Sequence, residues 1–306
     1  GDFALAQPLR RLRKIVEVGA LPHLPKRFRV RGLQPHRHLQ PGIAARQSLG
    51  EALDRLLERV HERCDPNDPP IVVLDDADVD LAVEATAQGA FGSTGQRCTA
   101  TSRAIVMDSV ADAFAQELAI HAAAIRPGHP LDPATTMGPS VSERQLAQVL
   151  KYMEIGKGEA DLRCGGERMM EGNLGGGYFP APTLFDNVSA TARIATEEIF
   201  GPVLSVIRVS SVEEAIAAAN GVKYGLTGSV FTRDISHAFK VINELEAGIT
   251  HVNNPTIGGE AHMPFGGIKA TGVGPREMGP DAWKFYAESK TIYINHALAA
   301  RKNNLF

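Results

Sequence analysis

Cys98 is the residue best equipped for covalent chemistry. It sits in Phe91-Gly92-Ser93-Thr94-Gly95-Gln96-Arg97-Cys98-Thr99-Ala100, where small and polar residues follow an apolar stretch. Glycine lets the backbone turn tightly and approach a ligand, so a thiol here stands where substrate can reach it. A thiolate is intrinsically nucleophilic, and its reference pKa of about 8.5 is readily lowered by neighbours. That suits a reaction in which a carbonyl is attacked and the adduct later released. Taken without context, a lone cysteine after an apolar helix is more often a small core residue. Cys64, Cys98 and Cys164 lie far apart with no CxxC spacing. Neither a disulfide framework nor a zinc site is indicated, and a reducing compartment, the cytoplasm, is the default.

Other candidates carry two readings each. Glu197-Glu198 precedes Ile199-Phe200-Gly201-Pro202 and is either a solvated pair or part of a site. Phe265, in Pro264-Phe265-Gly266-Gly267-Ile268-Lys269, is either core or pocket wall. Asp75-Asp76-Ala77-Asp78 has carboxylates for a divalent metal, but its place between a strand and a helix favours capping. No metal site is expected. His23, His36 and His38 as a metal site, and the basic N-terminal arm as a nucleic-acid binder, are lesser readings. A cysteine hydrolase or acyltransferase would need a histidine base, and none of the ten histidines stands in a recognisable pairing with a thiol.

The elements that must position these residues become orderly from Ile71. Ile71 to Leu74 is predicted to be a buried strand, with a helix from the aspartates to about Ala90. Arg103 to Met107 reads as a strand, and Val110, Phe114, Leu118 and Ala122 mark one face of the next helix. Ser140-Val141-Ser142-Glu143 reads as a capping box ahead of Leu146, Val149, Leu150 and Met153. Residues 171–178 superficially resemble a phosphate-cradling loop, but Phe179-Pro180-Ala181-Pro182 cannot easily open a helix, so a surface hairpin loop is expected. Strands Val203 to Val209, Leu226 to Thr232 and Ile249 to Val252 alternate with helices opening at Ser211 and Asp234, the second reaching about Ala247. That alternation predicts parallel pairing with right-handed crossovers. In such sheets chemistry gathers at the carboxyl ends of the strands, which is where Asn253 and Asn254 fall.

The chain has 306 residues, 43% hydrophobic and 22% charged, and a net charge of −3 that favours no polyanionic partner. The averages suit a soluble α/β protein but conceal an asymmetry. Residues 1–60 hold 12 Lys+Arg against 5 Asp+Glu, net +7, and the rest hold 20 against 30, net −10. No apolar run approaches the roughly 18 residues of a membrane span, and residues 1–20 lack the apolar centre of a signal peptide.

The Gly95-Gln96-Arg97-Cys98-Thr99-Ala100 stretch resembles the catalytic cysteine motif of aldehyde dehydrogenases, and three further motifs in order share the resemblance. Glu197 to Pro202 is similar to the family's cofactor-contacting glutamate motif. Pro264 to Lys269, with Thr271-Gly272 and Gly274-Pro275-Arg276-Glu277, is similar to a late signature. Phe285-Tyr286 to Lys290-Thr291-Ile292-Tyr293 is similar to the strand with which these enzymes oligomerise. The resemblance covers about residues 70–295 and implies an α/β catalytic domain with a parallel, doubly wound sheet. It implies Cys98 as nucleophile, Glu198 on the nicotinamide ribose and Phe200 against the nicotinamide of NAD or NADP. Arg97, Thr99, Asn253 and Phe265 are the expected substrate-pocket residues, while Arg276 and Glu277 are read as structural. The implied reaction oxidises an aldehyde through a thiohemiacetal, hydride transfer to NAD(P)+ and hydrolysis of a thioester, in a dimer or tetramer. His251 to Glu260 and the run around Cys98 look most like the α-ketoglutaric semialdehyde branch, and Arg97 would suit a carboxylated aldehyde, though it would equally suit a structural salt bridge.

The sequence departs from the family before Ile71. The expected Glu-Leu-Gly-Gly, whose glutamate is the general base, reads Cys64-Asp65-Pro66-Asn67. Asp65 or Glu62 are weak substitutes. Residues 1–63 show none of the expected Rossmann-type cofactor domain, so the adenosine half of the cofactor site is missing or unrecognisable. The chain is accordingly divided into a basic, aberrant or disordered segment 1–66, a catalytic domain 67–270 and a C-terminal segment 271–306 bearing the oligomerisation strand. A frame error or fusion is the favoured explanation of the first, with a divergent basic arm as the alternative. Two alternatives stand: a cofactor-independent cysteine esterase, and an inactive fragment of the family.

Overall fold

A computed structural model describes residues 68–272 and 276–294. The expectations for Glu62, Cys64, Asp65, His23, His36, His38 and the whole 1–66 segment lie outside the described residues.

The element order begins with β1 (Pro70–Val73), α1 (Val79–Phe91), β2 (Arg103–Met107), α2 (Asp108–Ala124) and α3 (Glu143–Glu159). Next come β3 (Asp161–Cys164), β4 (Thr183–Asp186), the single-turn α4 (Arg193–Thr196), β5 (Val203–Val209) and α5 (Val212–Asn220). The order closes with β6 (Tyr224–Gly225), β7 (Thr227–Phe231), α6 (Ile235–Glu244), β8 (Ile249–Val252), β9 (Ile268–Lys269) and α7 (Ala282–Tyr286). Seven strands form one sheet in the order β3-β4-β5-β2-β1-β7-β8, and β6 pairs with β9 in a separate antiparallel ribbon. Every pairing in the large sheet is parallel except β3 with β4. The expected parallel pairing is therefore present, with one feature the alternation does not reveal: the chain leaving β5 passes over β2 and β1 before re-entering the sheet as β7.

Alternation along a strand sends successive side chains to opposite faces, and two cores follow from it. Val72, Leu74 and Ile105 pack with Val149 and Met153 of α3, Ala215 and Ile216 of α5, and Val241 of α6. Ile71, Val73, Ala104 and Val106 pack on the other face with Ala82, Val83 and Phe91 of α1 and Phe114 and Leu118 of α2. Helices thus cover both faces of an α/β, doubly wound sheet, which is why its central strands read as unbroken apolar runs.

Helix starts follow side-chain capping. Asp78 caps α1, accepting from Leu81 N at 3.2 Å, while Asp76 accepts from Thr232 Oγ1, Arg233 N and Asp234 N and so ties β1 to the turn after β7. The box read at Ser140 is displaced: Ser142 caps α3, accepting from Gln145 N, and Ser140 is buried upstream of it. Helix α6 stops at Glu244, before the expected Ala247, with Leu245 as its buried cap residue. Residues 171–178 do form a loop that turns back, containing a short 3-10 turn at Gly172–Gly176. Arg168 donates to the Gly175 and Gly177 carbonyls and pairs with Pro180 across it. Toward the C-terminus, Phe285 and Tyr286 belong to α7, and residues 287–294 form no ladder among the described residues. Ile292, Tyr293 and Ile294 are exposed.

Candidate active site

The residues singled out for chemistry lie at the amino-terminal edge of the parallel sheet. Cys98 precedes β2 by five residues and Glu198 to Phe200 precede β5, strands that run parallel and adjacent. The expectation that the site forms at the carboxyl ends is overturned. At that edge the Asn253 Oδ1 accepts from Thr232 N, at 3.0 Å, and its Nδ2 donates to Thr232 O, at 3.0 Å. With Asp76 on the same turn, the strand ends there are bound to one another. The Asn253 amide is engaged in this closure, and Asn253 is not among the residues lining the depression described below.

Backbone conformation shapes the cysteine loop. Ser93 (φ 53°), Thr94 (φ 60°) and Gly95 (φ 64°) are consecutive left-handed residues, and each non-glycine among them costs roughly 1–3 kcal/mol. Surrounding contacts hold the strain. Buried Thr94 donates its hydroxyl to Gly138 O at 2.9 Å, and the Gln96 side chain accepts from Val141 N at 2.9 Å. Gly95 lies so close to the Gly201 carbonyl that a methyl group would not fit between them. The loop of Glu198 is bound from the same helix: Gln145 Nε2 donates to Ile199 O at 3.1 Å and Phe200 O at 2.8 Å. Phe200 is itself left-handed, at φ 56°. Gln96 and Gln145 thus fix the two loops to the start of α3.

On its other flank the loop is tied to the segment after β8. Thr256 Oγ1 donates to Thr99 O at 2.8 Å and lies 2.8 Å from Thr101 Oγ1. A hydroxyl carries one proton, so Thr101 is the donor in the second contact. Thr99 contributes through its carbonyl. Thr256, which anchors it, was not singled out from sequence, because a threonine in a loop has no distinctive spacing.

Arg97, Glu198 and Phe200 line one open depression, with Gly95, Thr101 and Gly201 in its wall. Cys98 is exposed beside it. The expected depression of the thiol pKa is corrected: burial of the sulfur pushes it up, the backbone N–H groups of Cys98 and Thr99 oppose this, and the carboxylates of Glu198 and Glu277 push it further up. Arg97 makes no ion pair among the described residues. Glu197 turns away, taking two hydrogen bonds from Arg193 and one from Tyr152 Oη at 2.8 Å.

Phe265 is half-buried and exchanges two backbone hydrogen bonds with Glu277, at 2.7 and 2.9 Å. Arg276 packs on Gly248 and Gly266 and donates to Gly267 O, which is the structural role read for it. Glu277, read alongside it as structural, pairs with Phe265 through the backbone. Sequence alone does not separate the two neighbours, since only the antiparallel bridge sends them to different surroundings. No helix among the described residues is long and apolar enough to cross a membrane.

The profile described as "Aldehyde dehydrogenase family" matches residues 43–292, beginning further toward the N-terminus than the motifs themselves. The chain is 43% identical to α-ketoglutaric semialdehyde dehydrogenase of Bacillus subtilis, covering 74% of this chain and 46% of that protein. It is 42% identical, with the same coverage, to betaine aldehyde dehydrogenase of Mesorhizobium japonicum. The crystal structure of Thermus 1-pyrroline-5-carboxylate dehydrogenase with bound NAD superposes with a TM-score of 0.64 at 41% identity, covering 67% of this chain and 39% of that one. The chain therefore spans about half the length of the curated relatives it matches. With a matching profile over most of its length and this identity, the chain belongs to the aldehyde dehydrogenase family.

Proposed function

We propose that this chain carries the thiol half of an NAD(P)+-dependent aldehyde oxidation, with Cys98 attacking the aldehyde carbon. The observation that supports this best is the meeting of two separate loops at one depression, with Cys98 beside the Arg97, Glu198 and Phe200 that line it. Sulfur attack gives a thiohemiacetal whose oxygen the backbone N–H of Cys98 helps to hold. Fixed backbone around the thiol limits the motion of the adduct, as transfer to a neighbouring acceptor requires.

The depression is lined by one carboxylate side chain and one aromatic side chain. Its carboxylate and aromatic face suit a ribose hydroxyl and a nicotinamide, so Glu198 and Phe200 would hold that end of NAD or NADP. The bound cofactor would supply hydride acceptance. Arg97, beside the thiol, favours a carboxylated semialdehyde such as α-ketoglutaric semialdehyde, as does the likeness to the B. subtilis enzyme. Thr99 and Phe265 complete the pocket in this reading. The exposed apolar residues at 292–294 support association of copies through that segment. The free thiols of Cys98 and Cys164 fit a reducing compartment such as the cytoplasm.

The test is aldehyde-dependent reduction of NAD+ or NADP+ by the purified chain, with Cys98→Ala as control. Reduction by the parent alone is expected; none with either cofactor overturns the oxidoreductase reading. A second reading is a cofactor-independent thiol esterase, since hydrolysis of a thioester is half of the proposed cycle. Ester hydrolysis without any cofactor reduction would select it.

A further inference from the structure

The segment that carries Glu198 and Phe200 is gripped along its length by one face of α3. Gln145, Val149 and Tyr152 follow one another at intervals of four and three, which places them side by side on a helix. Gln145 holds the Ile199 and Phe200 carbonyls. Val149 fills the space that a side chain at Gly201 would need. Tyr152 reaches a side chain rather than the backbone: its Oη donates to Glu197 Oε2 at 2.8 Å. Glu197 is the cap residue that ends α4, and it is extended, at φ −115° and ψ 134°. In extended backbone successive side chains leave on opposite sides. Glu197 is held toward α3, so Glu198 leaves the other way and stands with Phe200 in the lining of the depression.

Two contacts hold Glu197, and they are unequal. Arg193 donates twice to it, Nε to Oε1 at 3.1 Å and Nη2 to Oε2 at 2.9 Å, but the pair is four residues apart on one turn and both side chains are about half exposed. An exposed pair of this spacing contributes little, and this one joins the turn only to itself. Tyr152 joins the turn to a helix whose Val149 and Met153 are in the core. Its hydroxyl remains a donor at neutral pH, because burial and then the Glu197 carboxylate push its pKa up to about 12.

We infer that Tyr152 is a positioning residue for the cofactor: by fixing Glu197 against α3, it sets the direction from which Glu198 faces the depression. The inference rests on the reading of Glu198 as the contact to the nicotinamide ribose. Neither Tyr152 nor Glu197 is among the residues lining the depression. Their effect on a bound nucleotide therefore passes through the extended backbone between Glu197 and Glu198, and it disappears when the Glu198 carboxylate is removed.

The experiment titrates the full chain with NADH and NADPH, follows nicotinamide fluorescence, and compares Kd for the tighter of the two in the parent, Tyr152→Phe, Glu198→Ala and the double variant. Tyr152→Phe removes a hydroxyl and keeps the ring. It should raise Kd about tenfold, the scale of one hydrogen bond to a charged group. The rate of Cys98 alkylation by iodoacetamide should stay within about twofold of the parent's, since the cysteine loop is held by Gln96 and Thr94 instead. In the Glu198→Ala background the same substitution should change Kd by less than about twofold, because coupled residues do not add. A parent that binds neither nucleotide, or a Glu198→Ala variant with the parent's Kd, overturns the reading of Glu198 and this inference with it. If Glu198→Ala weakens binding but Tyr152→Phe does not, the positioning role alone is overturned. Equal effects of Tyr152→Phe with and without Glu198, or a parallel change in Cys98 alkylation, also overturn it, as they mark a general loosening. If Tyr152→Phe does not fold, Glu197→Ala removes the same contact from the other side. A weaker Kd that depends on Glu198 then supports the inference, and an unchanged Kd overturns it.

Discussion

Gly95 and Gly201 meet backbone to backbone, joining the loop that carries Cys98 to the loop that carries Glu198. Gly95 is left-handed at φ 64° and has no room for a methyl group against the Gly201 carbonyl. Gly95→Ala therefore pays twice. The left-handed backbone alone costs about 1–2 kcal/mol, and the methyl group must push the two loops apart. A lower denaturation midpoint and a several-fold change in the rate of Cys98 alkylation by iodoacetamide are expected. An alanine variant equal to the parent in both would show that the loops are not coupled.

Cys98 should alkylate slowly at neutral pH, its rate climbing with pH beyond the usual thiol range. Burial, then the Glu198 and Glu277 carboxylates, favour the protonated form and outweigh the two backbone N–H groups that favour thiolate. Glu277→Gln removes one negative charge and should move the midpoint of the alkylation profile to lower pH. Peptide mass analysis distinguishes Cys98 from half-buried Cys164, whose thiol is also raised by burial. A parent midpoint below the ordinary thiol value would contradict the arrangement of charges.

The sheet was largely legible in the sequence because burial on two faces leaves unbroken apolar runs. Arg103–Met107, Val203–Val209 and Ile249–Val252 have the same bounds in the structure as in the pattern. Strand order was not legible, since nothing local to β5 and β7 records that β2 and β1 lie between them. The cysteine loop showed its chemistry through its glycines and small residues. Its placement at the amino edge did not show, because an edge is a property of the assembled sheet. Nor did the sequence show that Asn253, at a strand end, has both ends of its amide on Thr232. Arg276 and Glu277 look alike in their motif, and only the bridge to Phe265 gives them different surroundings.

Arg97 decides between substrate classes. It is exposed, lines the depression and pairs with no carboxylate among the described residues, so its charge is available to a ligand. Arg97→Ala should raise KM for an acidic semialdehyde about tenfold, the scale of one solvent-accessible charged contact of ~1.4 kcal/mol. A neutral aldehyde of similar length should change little. Equal changes for both, or none for either, would remove the arginine from recognition and weaken the case for a carboxylated substrate over a cationic one.

Asp68 gives the fold a pH dependence of unusual sign. It is buried beside the fully buried Arg103, with Arg103 Nε 3.4 Å from its Oδ2, and it accepts from Ser102 Oγ. Burial dominates, and although Arg103 and Ser102 pull the other way its pKa is pushed up to about 6. The native state therefore holds this proton between about pH 4, where an unfolded aspartate releases it, and about pH 6. Across that window the native state binds more protons than the unfolded state, so this group's contribution to stability falls as pH rises, by about 3 kcal/mol over the full shift. Asp68→Asn carries no titrating proton. Arg103 still donates to the Asp68, Ala218 and Ala219 carbonyls, so the variant keeps a partnered guanidinium. The difference in denaturation free energy, parent minus variant, should therefore decline between pH 4 and pH 6.5 and then level off. A difference that rises with pH would mean the carboxylate is stabilised as an anion, and that the Arg103 pair, not burial, sets its ionisation.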